Sequence, residues 1–228
     1  EADSCVAKIH DLTNLATGSL NIGVTYSFSP ILTETLIEFT RKYPGVKLTV
    51  YYKPMAELMD LLEAHGVDFV LAFRPSQRRE NIESHTLFDN HLAVIVKEGH
   101  PLDGKDRVDM DDLKKYNLAL PTVGLQARNA FDVCLQYYSE PLDIRVELNE
   151  VNILLELIKN SNMVTVLAEA TVYNQGGVKA IPLNLPGNEM DGCVHMLKNS
   201  YRKRSAIEFI RMLRDSNAVR ARVHNWFM

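Results

Sequence analysis

Cysteine is scarce in this chain. Cys5, Cys134 and Cys193 stand far apart and no C-x-x-C occurs. That excludes a disulfide framework and a cysteine-based zinc site, and it points to mostly buried thiols in a reducing cytoplasm. No apolar run approaches the ~20 residues that span a bilayer, and the first residues lack the order of a secretion signal. His10, His65, His85, His91, His100, His195 and His224 are scattered, with neither H-x-x-x-H nor H-E-x-x-H, so no metal site is expected. G-x-S-x-G, the P-loop and G-x-G-x-x-G are missing too, which removes the hydrolase elbow and the usual nucleotide cradles; no cofactor is expected. Positive charge is not in surplus. Lys plus Arg total 25 against 29 Asp plus Glu, a net charge of −4, which argues against a nucleic-acid surface spread over the whole chain.

What is present is the material of a layered α/β protein. The 228 residues, 46 % hydrophobic, suffice for one large domain or two of about 100 residues with substantial cores. The organising stretch is "LNIGVTYSFSPILTETLIEFTRKY", residues 20–43. Leu20–Val24 suits a buried strand. Ser29 is expected to cap a helix, with Pro30 at its first position. Leu32, Leu36, Phe39 and Tyr43 form one face of that helix, and Pro44-Gly45 stops it. A strand feeding a helix aims main-chain N–H groups and the positive end of a helix dipole at the strand's end, a place for an anion or a carbonyl. An ordinary βα turn is the competing reading.

Val46–Tyr52 is β-branched and aromatic, hence a strand; a helix follows from Pro54 to His65-Gly66; Asp68–Phe73 is a third buried strand. Alternating strands and helices predict a parallel sheet with right-handed crossovers. The pattern restarts after residue 99. Helices are expected at 110–116, 125–138 and from Val151, with strands at 117–120, 144–148 and 163–168. Further strands at 179–183 and 193–197 precede a last helix at 204–214. Residues 1–17 keep an apolar four-three-four spacing, and 217–228 fit no pattern. Two α/β sets suggest two subdomains. Segments 91–97 and 192–197 read as a pair of crossing strands, which leaves a cleft between two sheets, flanked by strand C-termini and helix N-termini.

These pieces resemble a known family. "TGSLNIGV", the helix ending "FTRKYPGVKL", "ELMDLL…VDFVLA", "VIVKEGHPL", "DMDDLKKYNLALP" and "IKNSNMVTVLAEATV" stand in the order found in the effector-binding domain of LysR-type transcriptional regulators. The resemblance runs from Gly18 to about Asp215. It implies two Rossmann-like subdomains of the type II periplasmic-binding-protein kind. Residues 18–92 and 197–228 would form the first, residues 93–196 the second, and residues 1–17 the end of a linker helix. It implies a small effector, with an anion as the leading class, bound between subdomains of a homodimer or homotetramer. It also implies that DNA is read only by a helix-turn-helix domain upstream of this sequence. Helices 54–65 and 125–138 would form the dimer. Two departures stand out: His65 occupies a family glycine, and Asn160-Ser161-Asn162-Met163 replaces a family G-L-G. Cys134 and Cys193 do not match the close pair of the family's oxidation sensors, so no such switch is expected.

Family effectors touch the turn after the first strand, here Tyr26, Ser27, Phe28 and Ser29; the next helix start, Lys53, Pro54 and Met55; and the third strand's end, Phe73 and Arg74. From the second subdomain come Thr122, Arg128, Asn149, Glu150, Asn152 and Glu169. Lys53, Arg74 and Arg128 are candidates to neutralise an anion, arginine with a bidentate fork; a solvated surface cation is the rival reading of each. His91 and His195, on the supposed crossing strands, are read as structural. Two other classes compete with the regulator: a solute-binding protein of a transporter, with the same cleft, and a two-lobed α/β enzyme, for which no catalytic group is found.

Overall fold

The computed structural model describes residues 17–138 and 140–223. The expected linker helix, residues 1–17, lies outside them except for Thr17. The chain divides into two compact units, one ending at Asp89 and resuming at Asp191, the other running from Asn90 to Met190.

In the first unit the elements are β1 (Gly18–Val24), a 3-10 turn (Tyr26–Phe28), α1 (Ser29–Lys42), β2 (Val46–Tyr52), α2 (Met55–Glu63), β3 (Phe69–Phe73) and β4 (Ile82–Phe88). The second contains β5 (Leu92–Lys97), α3 (Met110–Leu113), β6 (Leu118–Pro121), α4 (Gln126–Leu135), β7 (Ile144–Leu148), α5 (Val151–Lys159), β8 (Thr165–Ala168), a 3-10 turn (Glu169–Val172) and β9 (Val178–Pro182). The chain then returns to the first unit as β10 (Gly192–Leu197), α6 (Arg204–Asp215) and α7 (Asn217–Val223). Among these, no helix is long and apolar enough to cross a membrane.

The first sheet has the order β2-β1-β3-β10-β4. β1 pairs in parallel with β2 and β3, whereas β10 runs antiparallel to both β3 and β4. In the second unit β8-β5-β9 form one antiparallel sheet and β6-β7 a parallel ribbon, joined by a parallel bridge between Leu118 and Val164. Read across that bridge the order is β7-β6-β8-β5-β9, the same plan as the first sheet. Each unit has three parallel strands, then a strand that enters from the other passage of the chain, then an outer strand. The expected crossing strands, 91–97 and 192–197, are β5 and β10, and they stand in equivalent places of two different sheets. Because β10 pairs with β3 and β4, the chain rejoins the first unit at Asp191, not at 197, and it leaves at Asp89 rather than 92.

Burial explains the periodicities. All five β3 residues are buried, as a strand covered on both faces requires. α1 buries Ile31, Leu32, Thr35 and Phe39, and Phe39 meets Phe209 of α6 with ring centroids 5.1 Å apart. Each such apolar side chain contributes about 1.5–3 kcal/mol on removal from water. α7, which no pattern announced, is held from α1: the Glu34 carboxylate accepts the Asn217 and Ala218 N–H groups at 2.9 and 3.2 Å. Ser29 is not the cap of α1. The helix starts at Ser29 itself after Phe28, and the Ser29 hydroxyl donates to the Tyr26 carbonyl at 2.8 Å, closing the 3-10 turn. α2 ends with the Gly66 N–H on Leu61 O at 2.8 Å and the His65 N–H on Leu62 O at 3.1 Å. That hydrogen-bond pair needs a left-handed residue at the turn, and His65 supplies it with φ 57°; the family glycine has a physical reason there. At the other departure Asn160 stays at φ −106° and its side-chain amide donates to Glu156 O at 2.8 Å, so this turn closes without a left-handed residue.

Candidate functional site

In the first unit the parallel strands end at Val24, Tyr52 and Phe73, and each hands the chain to a turn. Thr25 is pinned to β3: its N–H donates to Leu71 O at 2.9 Å and its hydroxyl does so at 3.5 Å. The 3-10 turn then sets Tyr26 with its ring 6.0 Å from that of Tyr52, while Ser27 and Ser29 are half-buried. Phe28 and Phe73 depart from the expectation. Their side chains are 0 % and 1 % exposed, and Phe28 packs at 5.2 Å on Phe73 and 5.5 Å on Phe88. They form the floor under the turn.

Lys53 donates to Glu57 at 2.7 Å, one turn along the start of α2. Pro54 occupies the cap position of that helix without a side-chain hydrogen bond, and Met55 begins it. Arg74 is tied across 117 residues: its N–H donates to Asp191 O at 2.9 Å, its Nε to the Asp191 carboxylate at 3.0 Å, and a terminal nitrogen to the Thr86 hydroxyl at 2.5 Å. The Asp191 carboxylate holds the guanidinium protonated.

The second unit repeats the arrangement. β6 and β7 end at Pro121 and Leu148, and the Thr122 N–H donates to Leu148 O at 3.0 Å. Gly124 turns at φ 99°, a backbone region open to glycine, and its N–H donates to the Asn129 side chain at 2.9 Å. α4 follows without a side-chain cap. Arg128 points back beneath this turn. It donates to Pro121 O at 3.0 Å and to Asp132 at 2.8 Å, and it pairs closely with Glu147. Burial works against its charge, but the two carboxylates outweigh burial and keep it protonated. Glu150 caps α5, accepting the N–H groups of Asn152 and Ile153 at 3.3 and 3.2 Å; Asn149 and Asn152 are exposed beside it. Glu169 opens the turn after β8, its N–H on His91 O at 3.0 Å and its carboxylate 3.4 Å from His91 Nε2.

The structure thus gathers Tyr26, Ser27, Ser29, Lys53, Pro54, Met55 and Arg74 at the strand ends of the first unit. It gathers Thr122, Arg128, Asn149, Glu150 and Asn152 at those of the second, with Glu169 at the end of β8. Reasoning from sequence missed the residues that hold them. Asp191 and Thr86 fix Arg74. Asn90, 5 % exposed, accepts the Ala170 N–H at 2.9 Å and so sets the turn that carries Glu169. Asn90 stands alone between the extended runs 84–89 and 91–97, which is its one mark in the sequence.

Ser84 and His195 form a serine–histidine contact of 2.8 Å, but His195 is 0 % exposed and its second nitrogen lies 3.2 Å from Ala72 O. Burial, only partly offset by main-chain carbonyls, pushes the His195 pKa down to about 4. It is a neutral structural histidine. Among the described residues no group of three or more His, Cys, Asp or Glu side chains could hold a metal ion. The site offers hydroxyls, amides, main-chain N–H groups at helix starts and paired charges, which suit recognition of a small polar molecule.

The profile of the LysR substrate binding domain matches residues 13–218. The HTH-type transcriptional regulator GalR of Pseudomonas putida is 28 % identical over 165 residues, covering 70 % of this chain and 41 % of the relative. A probable hydrogen peroxide-inducible genes activator of Streptomyces viridosporus is 26 % identical over 174 residues, covering 75 % and 55 %. The chain therefore spans about half the length of these curated relatives. Among solved structures, the CcmR regulatory domain of Synechocystis in complex with 2-PG superposes with a TM-score of 0.76 at 19 % identity, covering 92 % of this chain and 99 % of that one. The effector binding domain of QuiR in complex with shikimate gives 0.71 at 18 % identity, covering 90 % and 97 %. With the strand order repeated in both units and the profile matched across nearly the whole sequence, this chain belongs to the LysR substrate-binding domain family.

Proposed function

We propose that the chain is the effector-sensing part of a bacterial LysR-type transcription regulator and has no catalytic role. A small molecule would be held by the turn residues at the parallel strand ends. It would bind one arrangement of the protein better than another and so bias the oligomer that presents DNA-reading domains encoded outside this sequence. The observation that carries this reading is the family match over residues 13–218. Similar folds solved with 2-PG and with shikimate support a small polar ligand for this fold. A cytoplasmic location follows from a role at DNA.

The oligomer we propose is a homodimer through helices 54–65 and 125–138. In its support, α4 and its flanks carry exposed apolar side chains: Val123 is 70 %, Val133 53 % and Tyr137 86 % exposed. Val133 lies on α4, and Tyr137 lies in the turn just past its end. Sedimentation of the chain and of its Tyr137→Glu variant tests the dimer; a monomer in both would refute it. A thermal-shift screen over small organic and inorganic molecules tests the sensing role. No stabilisation by any member of a broad panel would refute that role.

A further inference from the structure

We infer that Asp191 is a displaceable stand-in for an acidic group of the effector: its carboxylate holds Arg74 until a ligand acid takes its place. This rests on the effector-sensing reading and names the contact that regulates it. Every group invoked belongs to the first unit.

Arg74 directly follows β3, at the strand ends where Thr25 ties its turn to Leu71 O. A guanidinium carries N–H donors on three nitrogens, and here two of the three are engaged. Nε donates to one Asp191 oxygen at 3.0 Å, and Nη2 donates to the Thr86 hydroxyl at 2.5 Å. Among the described residues Nη1 donates to nothing. The two-bond fork that arginine forms with a carboxylate is therefore incomplete.

Other arginines are held more firmly. Glu208 meets Arg211 with both oxygens, at 2.8 Å each, and Asp215 adds a bond at 3.0 Å. Arg128 is 11 % exposed and holds two carboxylates and a carbonyl. Arg74 and Asp191 are 40 % and 35 % exposed, a setting in which an ion pair contributes little and water readily takes over the acid. The Asp191 side chain can leave without its main chain, because the Arg74 N–H bond to Asp191 O at 2.9 Å does not involve the carboxylate. A ligand acid that grips the fork with two bonds gains over the single bond it displaces.

The exchange matters because of where Asp191 stands. It is the residue at which the chain re-enters the first unit. β10 begins at the next residue, and its ladder to β4 shifts register between Gly192 and Cys193. The Arg74–Asp191 pair is a side-chain tie from the end of β3 to that entry point. Displacing the pair loosens residues 191–193, so occupancy of the strand-end site is passed to the returning chain.

The test uses the 228-residue chain with sulfate, malonate and succinate, each titrated by NMR at one ionic strength held with NaCl, since salt screens an exposed site. Asp191→Asn removes the charge and keeps the shape. It should bind the best of these anions about two- to fivefold more tightly than the native chain does. With Arg74→Gln in the same chain that gain should vanish; circular dichroism checks each fold. In the native chain the anion should speed hydrogen exchange at the Gly192 and Cys193 amides. In Asp191→Asn those amides should exchange at the faster rate with or without it. Unchanged or weaker binding by Asp191→Asn, a gain that survives Arg74→Gln, or exchange that the anion leaves untouched overturns the inference. So does the lack of binding by any of the three anions to Asp191→Asn. If a neutral or apolar compound then stabilises the native chain in the broader screen, the sensing role stands and only the role of Asp191 is wrong.

Discussion

His195 should make the fold sensitive to mild acid, and the size of the effect follows from its setting. The ring is fully buried between β3 and β4, opposite Val70 and Ser84. Ala72 O lies 3.2 Å from Nε2 and Ser84 Oγ 2.8 Å from Nδ1. In the unfolded chain an imidazole takes up its proton near pH 6.5, whereas in the folded chain His195 waits until about 4. Between those values the unfolded state binds more protons, so stability is full above the upper value and falls as pH drops through the window. Two and a half units at about 1.4 kcal/mol each amount to roughly 3 kcal/mol, of which about 2 kcal/mol is lost between about pH 7 and about pH 5. Urea unfolding of the native chain and of His195→Gln at both pH values isolates this contribution. The variant should cost about 1–3 kcal/mol at neutral pH, through partners left unmatched. Its further loss on acidification should be smaller than that of the native chain by about 2 kcal/mol. His100 is also buried, with its pKa lowered chiefly by burial, but it is present in both proteins and cancels. Equal acid sensitivity in the two would refute the argument.

Three other substitutions probe the frame. A Cβ on Gly192 would come under 3.0 Å from ring carbons of Phe88; Gly192→Ala should destabilise by about 1–3 kcal/mol in urea, with Phe88→Leu in the same chain recovering part. Glu34→Ala strips the cap from α7 and should cost about 0.5–2 kcal/mol, seen as a lower Tm by circular dichroism. His65→Gly relieves the left-handed residue ending α2 and should raise Tm, by about 0.5–1 kcal/mol of stability.

How far the sequence reveals this molecule depends on the range of the interactions. The βαβαβ run from Leu20 to Phe73 was legible because each element carries its own apolar period, and the strand Val46–Tyr52 has the bounds that its composition indicates. Ser29 misled because a serine before a proline looks like a cap, whereas its hydroxyl serves the preceding turn. Phe28 and Phe73 looked like ligand contacts because they flank the right turns; their burial depends on Phe88, which no local pattern links to them. The pairing of Arg74 with Asp191 and of Glu34 with α7 spans more than a hundred residues and leaves no local trace. The chemistry of the site was hidden only in part: Lys53–Glu57 and Arg128–Asp132 are pairs four residues apart on a helix, whereas Asp191 and Glu147 reach their arginines from distant strands and loops.

The placement of β10 has a consequence for synthesis. β4 pairs with β10 and not with β3, so when a ribosome has translated as far as residue 90, the outer strand has nothing to join and β3 presents a bare edge. The intervening stretch from Asn90 to Met190 is contiguous and holds every strand of its own sheet. It should close first, while the earlier half waits for Gly192–Leu197 to be threaded between two strands made long before. A nascent chain released short of Leu197 would keep that edge open, and an unpaired, wholly apolar β3 is a template for aggregation.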